Sequence, residues 1–172
     1  MICAVRSEGS QNAIGVNMDV REILKLKDNA WFTVSPTTPI AEAIILMDEN
    51  DTGAVVVVDG GEVVGMLTFR EVVAILARRL KERYAGPTPP ILEIFVNEAM
   101  VPDPPMTTPD MDVDDLRRLM LDNKARYVPV MDGKTVISVV SLRDISRAVL
   151  EEKSLENRAM RSYIYNWPEK DS

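Results

Sequence analysis

One stretch of this sequence occurs twice. Residues 32–76 and 105–149 align without a gap at an offset of 73. Pro36 matches Pro109, Leu46-Met47 matches Leu119-Met120, Asn50 matches Asn123, Asp59-Gly60 matches Asp132-Gly133, and Arg70 matches Arg143. A repeat bounds the fold before any finer pattern is read, because both copies must satisfy the same local geometry. Two copies are too few for a solenoid. The repeat therefore predicts a duplicated unit that packs against its twin.

Within each unit the order of elements follows from local pattern. In the second copy two apolar runs, 127–131 and 136–140, flank Asp132-Gly133. In the first, runs at 54–58 and 63–67 flank Asp59-Gly60. Asp-Gly between such runs predicts a β-hairpin, since Gly accepts the positive φ of a tight turn. The arm Val55-Val56-Val57-Val58 is continuously apolar, which suits a strand buried on both faces. Each hairpin then passes into a helical pattern through Ser141-Leu142-Arg143-Asp144 or Thr68-Phe69-Arg70-Glu71. A hydroxyl, a guanidinium and a carboxylate thus meet where a strand becomes a helix. Backbone N–H groups point out of such a junction and receive anions readily.

Before each hairpin the spacing predicts a further helix. The first begins near Thr38, with Thr38 as cap and Pro39 at the first helical position, and buries Ile40, Ala43, Ile44 and Met47. Its twin begins near Asp112, carries Val113, Leu116 and Met120, and keeps Asp112, Asp114 and Asp115 in the first turn, where the helix dipole favours acids. The helix after the first hairpin spans about 70–84 and buries Val73, Leu76 and Leu80. An extended run at 31–34 precedes the first unit, and a helical turn at 20–25 leads into it, with a partner at 96–100 before the second. These readings divide the chain into a flexible arm (1–17), a first motif (18–84), a Pro/Gly linker (85–93), a second motif (94–150) and a C-terminal helix and tail (151–172). In that last segment Leu155, Ala159 and Tyr163 share one side. Tyr163, Tyr165 and Trp167 read as a packing tail or, alternatively, as a partner contact.

Composition removes whole classes of function. The chain has no histidine and one cysteine, Cys3, within the arm. Ser-His-Asp and Cys-His catalysis, CxxC redox pairs and His/Cys zinc sites are therefore excluded. The net charge of −7 argues against a nucleic-acid surface. No apolar run reaches the length of a membrane span, and residues 1–15 do not read as a secretory signal. Cytoplasmic placement is expected, or an organelle if a targeting segment has been removed. The plentiful acids read as solvated helix faces.

The strand–helix–strand–strand–helix order, twice, with Tyr127-Val-Pro-Val-Met-Asp132 and Ser138-Val-Val-Ser141-Leu-Arg-Asp144 in one copy and Ala54-Val-Val-Val-Val-Asp59 and Gly65-Met-Leu-Thr68-Phe-Arg-Glu71 in the other, resembles the tandem CBS (cystathionine β-synthase) domain pair, or Bateman module. The resemblance covers about residues 18–150. It implies an α/β (α+β) fold of two pseudo-twofold-related β-α-β-β-α motifs packed sheet to sheet. It also implies a regulatory, non-enzymatic module that binds AMP, ADP, ATP or S-adenosylmethionine in a cleft between the copies, with no catalytic cofactor and no metal. Carried onto this chain, the candidate contacts are Thr33, Val34, Pro36, Val55, Val56, Thr68, Arg70, Glu71, Thr107, Tyr127, Val128, Pro129, Ser141, Arg143 and Asp144. The signature acid takes the ribose hydroxyls, the hydroxyl residue touches phosphate or ribose, and Val55, Val56, Val128 and Pro129 on one sheet face flank the base. Arginine offers phosphate a forked donor.

Further implications are a homodimer joined through helices and a regulated partner protein. The small stand-alone relatives, which this chain also resembles, point to a thioredoxin-type system as a partner class. Three positions depart from the family pattern: Glu71 replaces Asp, Val56-Val57 replaces the Pro-Val of the second copy, and Ser138 replaces Gly, where its side chain would narrow the cleft. Two readings of the acids stay open. Asp144 and Glu71 either hold a ligand or only cap their helices. If they only cap, the chain is a ligand-free dimerisation and interaction module.

Overall fold

The computed structural model describes residues 18–27, 30–83 and 93–165, with backbone only at 156 and from 159 onward. The arm at 1–17, most of the linker, and the tail aromatics Tyr163, Tyr165 and Trp167 as side chains lie outside the described residues. In chain order the elements are α1 (Val20–Lys25), β1 (Thr33–Val34), α2 (Ile40–Glu49), β2 (Ala54–Asp59), β3 (Glu62–Thr68) and α3 (Phe69–Arg83). A 3₁₀ turn (Val96–Glu98) leads to β4 (Val101–Pro102), α4 (Val113–Asp122), β5 (Tyr127–Asp132), β6 (Thr135–Ser141) and α5 (Leu142–Tyr165).

The repeat survives into backbone detail. Both hairpins turn on a glycine in the left-handed region, Gly60 at φ 56° and Gly133 at φ 59°. Both carry a register shift at the same place, between Val57 and Val58 and between Val130 and Met131. Both early helices end on an asparagine whose Nδ2 donates to a carbonyl four residues back at 2.8 Å, Asn50 to Leu46 and Asn123 to Leu119. The next residue is left-handed in each copy, Asp51 at φ 47° and Lys124 at φ 52°, which stops the helix.

The copies differ at their first strand. In the first copy β1 pairs in parallel with β2, Thr33 opposite Val56 and Val34 opposite Val57, and the Val56 N–H donates to the Phe32 carbonyl at 2.9 Å. In the second copy the predicted strand is reduced to one bridge, Thr107 opposite Val130. The counterpart of Val56 is Pro129, which has no N–H to give, so the ladder loses its first rung. The strand β4 instead extends the first sheet, giving the order β1-β2-β3-β4 beside the two-stranded β5-β6.

Among the described residues, three apolar clusters form the core. Strand alternation sends Val55 and Val57 toward the helices and Ala54 and Val56 toward the other sheet. The sheets meet through Ala54, Val56, Met66, Val136 and Val139. The other two clusters are exchanged between copies. Met18, Val20 and Ile23 of the leading segment pack with Val113, Leu116 and Met120 of the second copy. Ile94 and Val96, which precede the second copy, pack with Ile40, Ala43 and Met47 of the first. The same three backbone bonds secure each exchange. Val20 N–H to Met111 O (3.0 Å), Arg21 N–H to Pro109 O (2.9 Å) and Val113 N–H to Met18 O (3.0 Å) mirror Val96 to Thr38 (2.9 Å), Asn97 to Pro36 (3.0 Å) and Ile40 to Ile94 (2.8 Å).

Two helix expectations are corrected. Val73, Leu76 and Leu80 do not enter the core but stand 62%, 39% and 60% exposed, while Val72 and Ile75 are buried. The helical period is right, but the face that turns inward lies one residue earlier. The first-copy helix begins at Ile40, with Pro39 in extended conformation before it and no side-chain cap. Thr38 Oγ1 accepts instead from the Ser35 N–H at 3.0 Å. Asp112 does cap α4, accepting from Asp114 N–H at 2.8 Å and Asp115 N–H at 3.4 Å.

Candidate functional site

The two sheets leave a cleft of about 470 Å³ at their edge. The first copy lines it with segments 30–32 and 50–54, and the second with Arg126, Tyr127, Val139 and the start of α5. The cleft therefore belongs to neither copy alone. Its volume falls in the ~300–1,000 Å³ range of small-molecule sites.

The α5 junction supplies the polar groups. Asp144 Oδ2 accepts from the Ser141 N–H and the Ser141 hydroxyl, both at 2.7 Å, and the Asp144 N–H returns to Ser141 Oγ at 3.2 Å. This reciprocal box forms because residues three apart at a helix start face each other. Lys27, reaching across from the end of α1, pairs with the same oxygen at 3.1 Å and also donates to the Val139 carbonyl. Asp144 Oδ1 takes no hydrogen bond from the described residues. One oxygen of the acid is thus committed to the fold, and the other keeps acceptor capacity to spare in a residue that lines the cleft.

Charge in the cleft runs against the charge of the whole chain. Lys27, Arg126, Arg143 and Arg147 line it, against Asp51 and Asp144. Lys27 is matched by Asp144 and Arg147 by Glu151 at 3.1 Å. Among the described residues neither Arg126 nor Arg143 has a carboxylate partner. Two unpaired guanidiniums in a protein of net charge −7 make the cleft a local attractor for anions.

A second, smaller cleft of about 100 Å³ lies across the pseudo-twofold, lined by Thr68, Arg70 and Glu71 with Lys124, Arg126 and Tyr127. Glu71 Oε2 accepts from the Thr68 N–H at 3.2 Å and from the Thr68 hydroxyl. The longer acid at this position therefore accepts from the same two donors as Asp144, while the N–H that returns to the hydroxyl is that of Arg70, at 3.2 Å.

The fifteen sequence candidates divide accordingly. Tyr127, Ser141, Arg143 and Asp144 come together in the large cleft, and Thr68, Arg70 and Glu71 in the small one. Val55, Val56 and Val128 are fully buried, and the expected single face of Val55, Val56, Val128 and Pro129 does not exist. Val55 and Val128 point into the helix-side clusters while Val56 faces the other sheet, as alternation along a strand requires. Thr107 is buried at 2% exposure, its hydroxyl turned to the Thr108 carbonyl and Met111 sulfur. Thr33, Val34, Pro36 and Pro129 line neither cleft. Ser138 does not narrow the site, for it is buried on the Val140 side of β6 while Val139 faces the cleft. The sequence reading missed Lys27, Trp31, Ala54, Arg126 and Arg147. Only the Trp31 run and the Asn50–Asn123 match hinted at the first-copy walls.

Among the described residues no cluster of acids or thiols is placed to hold a metal ion. No described helix is long and apolar enough to cross a membrane.

Comparison with known proteins gives consistent likenesses. The family profile of the CBS domain matches residues 20–78 and 96–151. The chain is 33% identical over 114 residues to the CBS domain-containing protein YhcV of Bacillus subtilis, covering 66% of this chain and 75% of that protein. Its fold is similar, at a TM-score of 0.68 and 28% identity, to a putative signal-transduction protein with CBS domains from Burkholderia ambifaria, covering 78% of this chain and 95% of that one. It is also similar, at 0.58 and 24% identity, to CBSX2 of Arabidopsis thaliana solved in complex with AMP, covering 72% and 90%.

Proposed function

We propose, from the premise that the chain belongs to the CBS-domain family, that it is a regulatory module whose large cleft binds an adenosine phosphate and whose ligand state is read by a partner protein. The observation that carries this reading is the convergence of Asp144, Ser141 and the unpaired Arg126 and Arg143 on one cleft of about 470 Å³. The free oxygen of Asp144 suits a ribose diol, since a carboxylate accepts two neighbouring hydroxyls. The two guanidiniums suit phosphate. Trp31 and Tyr127 supply aromatic wall for a base. The AMP bound by CBSX2, a protein of similar fold, supports the ligand class.

The charges favour AMP, ADP or ATP over S-adenosylmethionine, which brings a sulfonium and an ammonium to a cationic cleft. Calorimetry with AMP, ATP and S-adenosylmethionine tests the reading. The phosphates are expected to bind and S-adenosylmethionine to bind at least tenfold more weakly. Asp144→Ala should lower phosphate-ligand affinity tenfold or more, about 1.4 kcal/mol. Absence of heat from all three would sink it.

The Lys27–Asp144 pair favours a second reading, a ligand-free interaction module, because the acid already has a cation. A nucleotide affinity that Asp144→Ala removes excludes that reading. In either case a second copy covers the exposed stripe of α3, giving a homodimer. The proposed role contains no chemical step, so nucleotide hydrolysis should stay at background.

A further inference from the structure

The repeat supplies an internal control for the cleft. Thr68, Arg70 and Glu71 of the small cleft stand where Ser141, Arg143 and Asp144 stand in the large one. The small cleft keeps the acid-and-hydroxyl box and has Arg70, Lys124 and Arg126 as cations. It therefore keeps a hydroxyl, an acid and several cations, yet its volume is about 100 Å³ against about 470 Å³.

Bulk is one difference between the two. Several lining positions change size at the offset of 73, among them Gly53 of the large cleft, which is Arg126 in the small one, Ala54, which is Tyr127, and Val139, which is Met66. Tyr127 lines both clefts. Its phenol crosses the pseudo-twofold to reach the first copy at Gly53, where an added Cβ would lie 1.9 Å from Tyr127 Oη and 2.7 Å from Cζ. The ring is thus a wall with the large cleft on one side and the small cleft on the other, seated against a residue that has no side chain to refuse it.

We propose that Tyr127 holds this chain to one adenosine phosphate, by filling in the small cleft the space that Ala54 leaves open in the large one. This rests on the function proposed above and assigns its ligand to one cleft of two. Arg70 and Glu71 then organise the start of α3 without a ligand.

Native mass spectrometry of the full chain with AMP and with ATP tests it. Wild type is expected to take one nucleotide per chain. The variant Tyr127→Ala with Met66→Val gives the small cleft the large cleft's residues at these two positions, and should bind a nucleotide that a further Arg70→Ala removes. Tyr127→Phe keeps the ring and should show no such Arg70-dependent nucleotide. Tyr127→Val serves if the double variant does not fold, with circular dichroism as the check. Two nucleotides on wild type, or no Arg70-dependent nucleotide on the opened variants, overturns the proposal alone. No nucleotide on wild type overturns it together with the function on which it rests.

Discussion

Single residues at the cleft do two things at once. Ser141 and Asp144 were legible in the sequence because their partnership is local: residues three apart at a strand-to-helix junction meet whatever the rest of the fold does. Lys27 was not legible, since it stands 117 residues from the acid it pairs with. Gly53 was equally silent, because nothing in its neighbours reveals that a tyrosine from the other copy will rest on it. That contact makes a sharp prediction. Gly53→Ala places a Cβ inside the Tyr127 phenol, so it should destabilise the protein by about 1–3 kcal/mol through overpacking. In a Tyr127→Ala background the same change should cost far less. A double-mutant cycle by urea denaturation measures the difference, and equal costs in both backgrounds would refute the contact.

At the scale of elements, periodicity told helix from strand well and told the inward face of a helix less well. Both hairpins, both Asp-Gly turns and the core stripes of α2 and α4 follow from pattern. On α3 an apolar residue stands at several successive angles, and Phe69, Val72, Val73, Ile75, Leu76 and Leu80 together give more apolar face than one core takes. The core takes Val72 and Ile75, leaving Phe69 49% and Val73 62% exposed. A stripe of this kind, at helical spacing and uncovered, fits burial against another copy. Val73→Asp with Leu80→Glu should therefore convert dimer to monomer in native mass spectrometry. Because neither side chain packs in its own subunit's core, monomer stability should change by no more than about 0.5 kcal/mol for each surface substitution. A wild-type monomer would remove the α3 interface from the account.

The whole molecule shows that the unit of sequence and the unit of packing differ. Along the chain α1 reads as the introduction to the first copy, yet Val20 and Ile23 complete the core of the second. The segment before the second copy completes the first in the same way. Each half therefore lacks part of its core without the other half's leader, which ties the two copies into one cooperative body. Ile23 is 1% exposed. Ile23→Ala should cost about 2–5 kcal/mol, and hydrogen exchange should show α4 losing protection before α2. Loss confined to the first copy would contradict the exchange.

The sequence by itself determined what depends on near neighbours: the repeat, the turn glycines, the helix periods, and the hydroxyl–acid box at each helix start. These need only a few residues of chain to form. Tertiary structure alone decided what depends on which copy faces which: the exchanged leaders, the Lys27–Asp144 pair, and the inequality of the two clefts. The two units repeat a hydroxyl, a guanidinium and an acid at the start of their last helix, but a groove between them takes its size from side chains contributed by both. Ala54 and Tyr127 occupy the same place in the repeat, and only the tertiary structure brings the Tyr127 ring against Gly53 of the other copy, as a wall of both clefts.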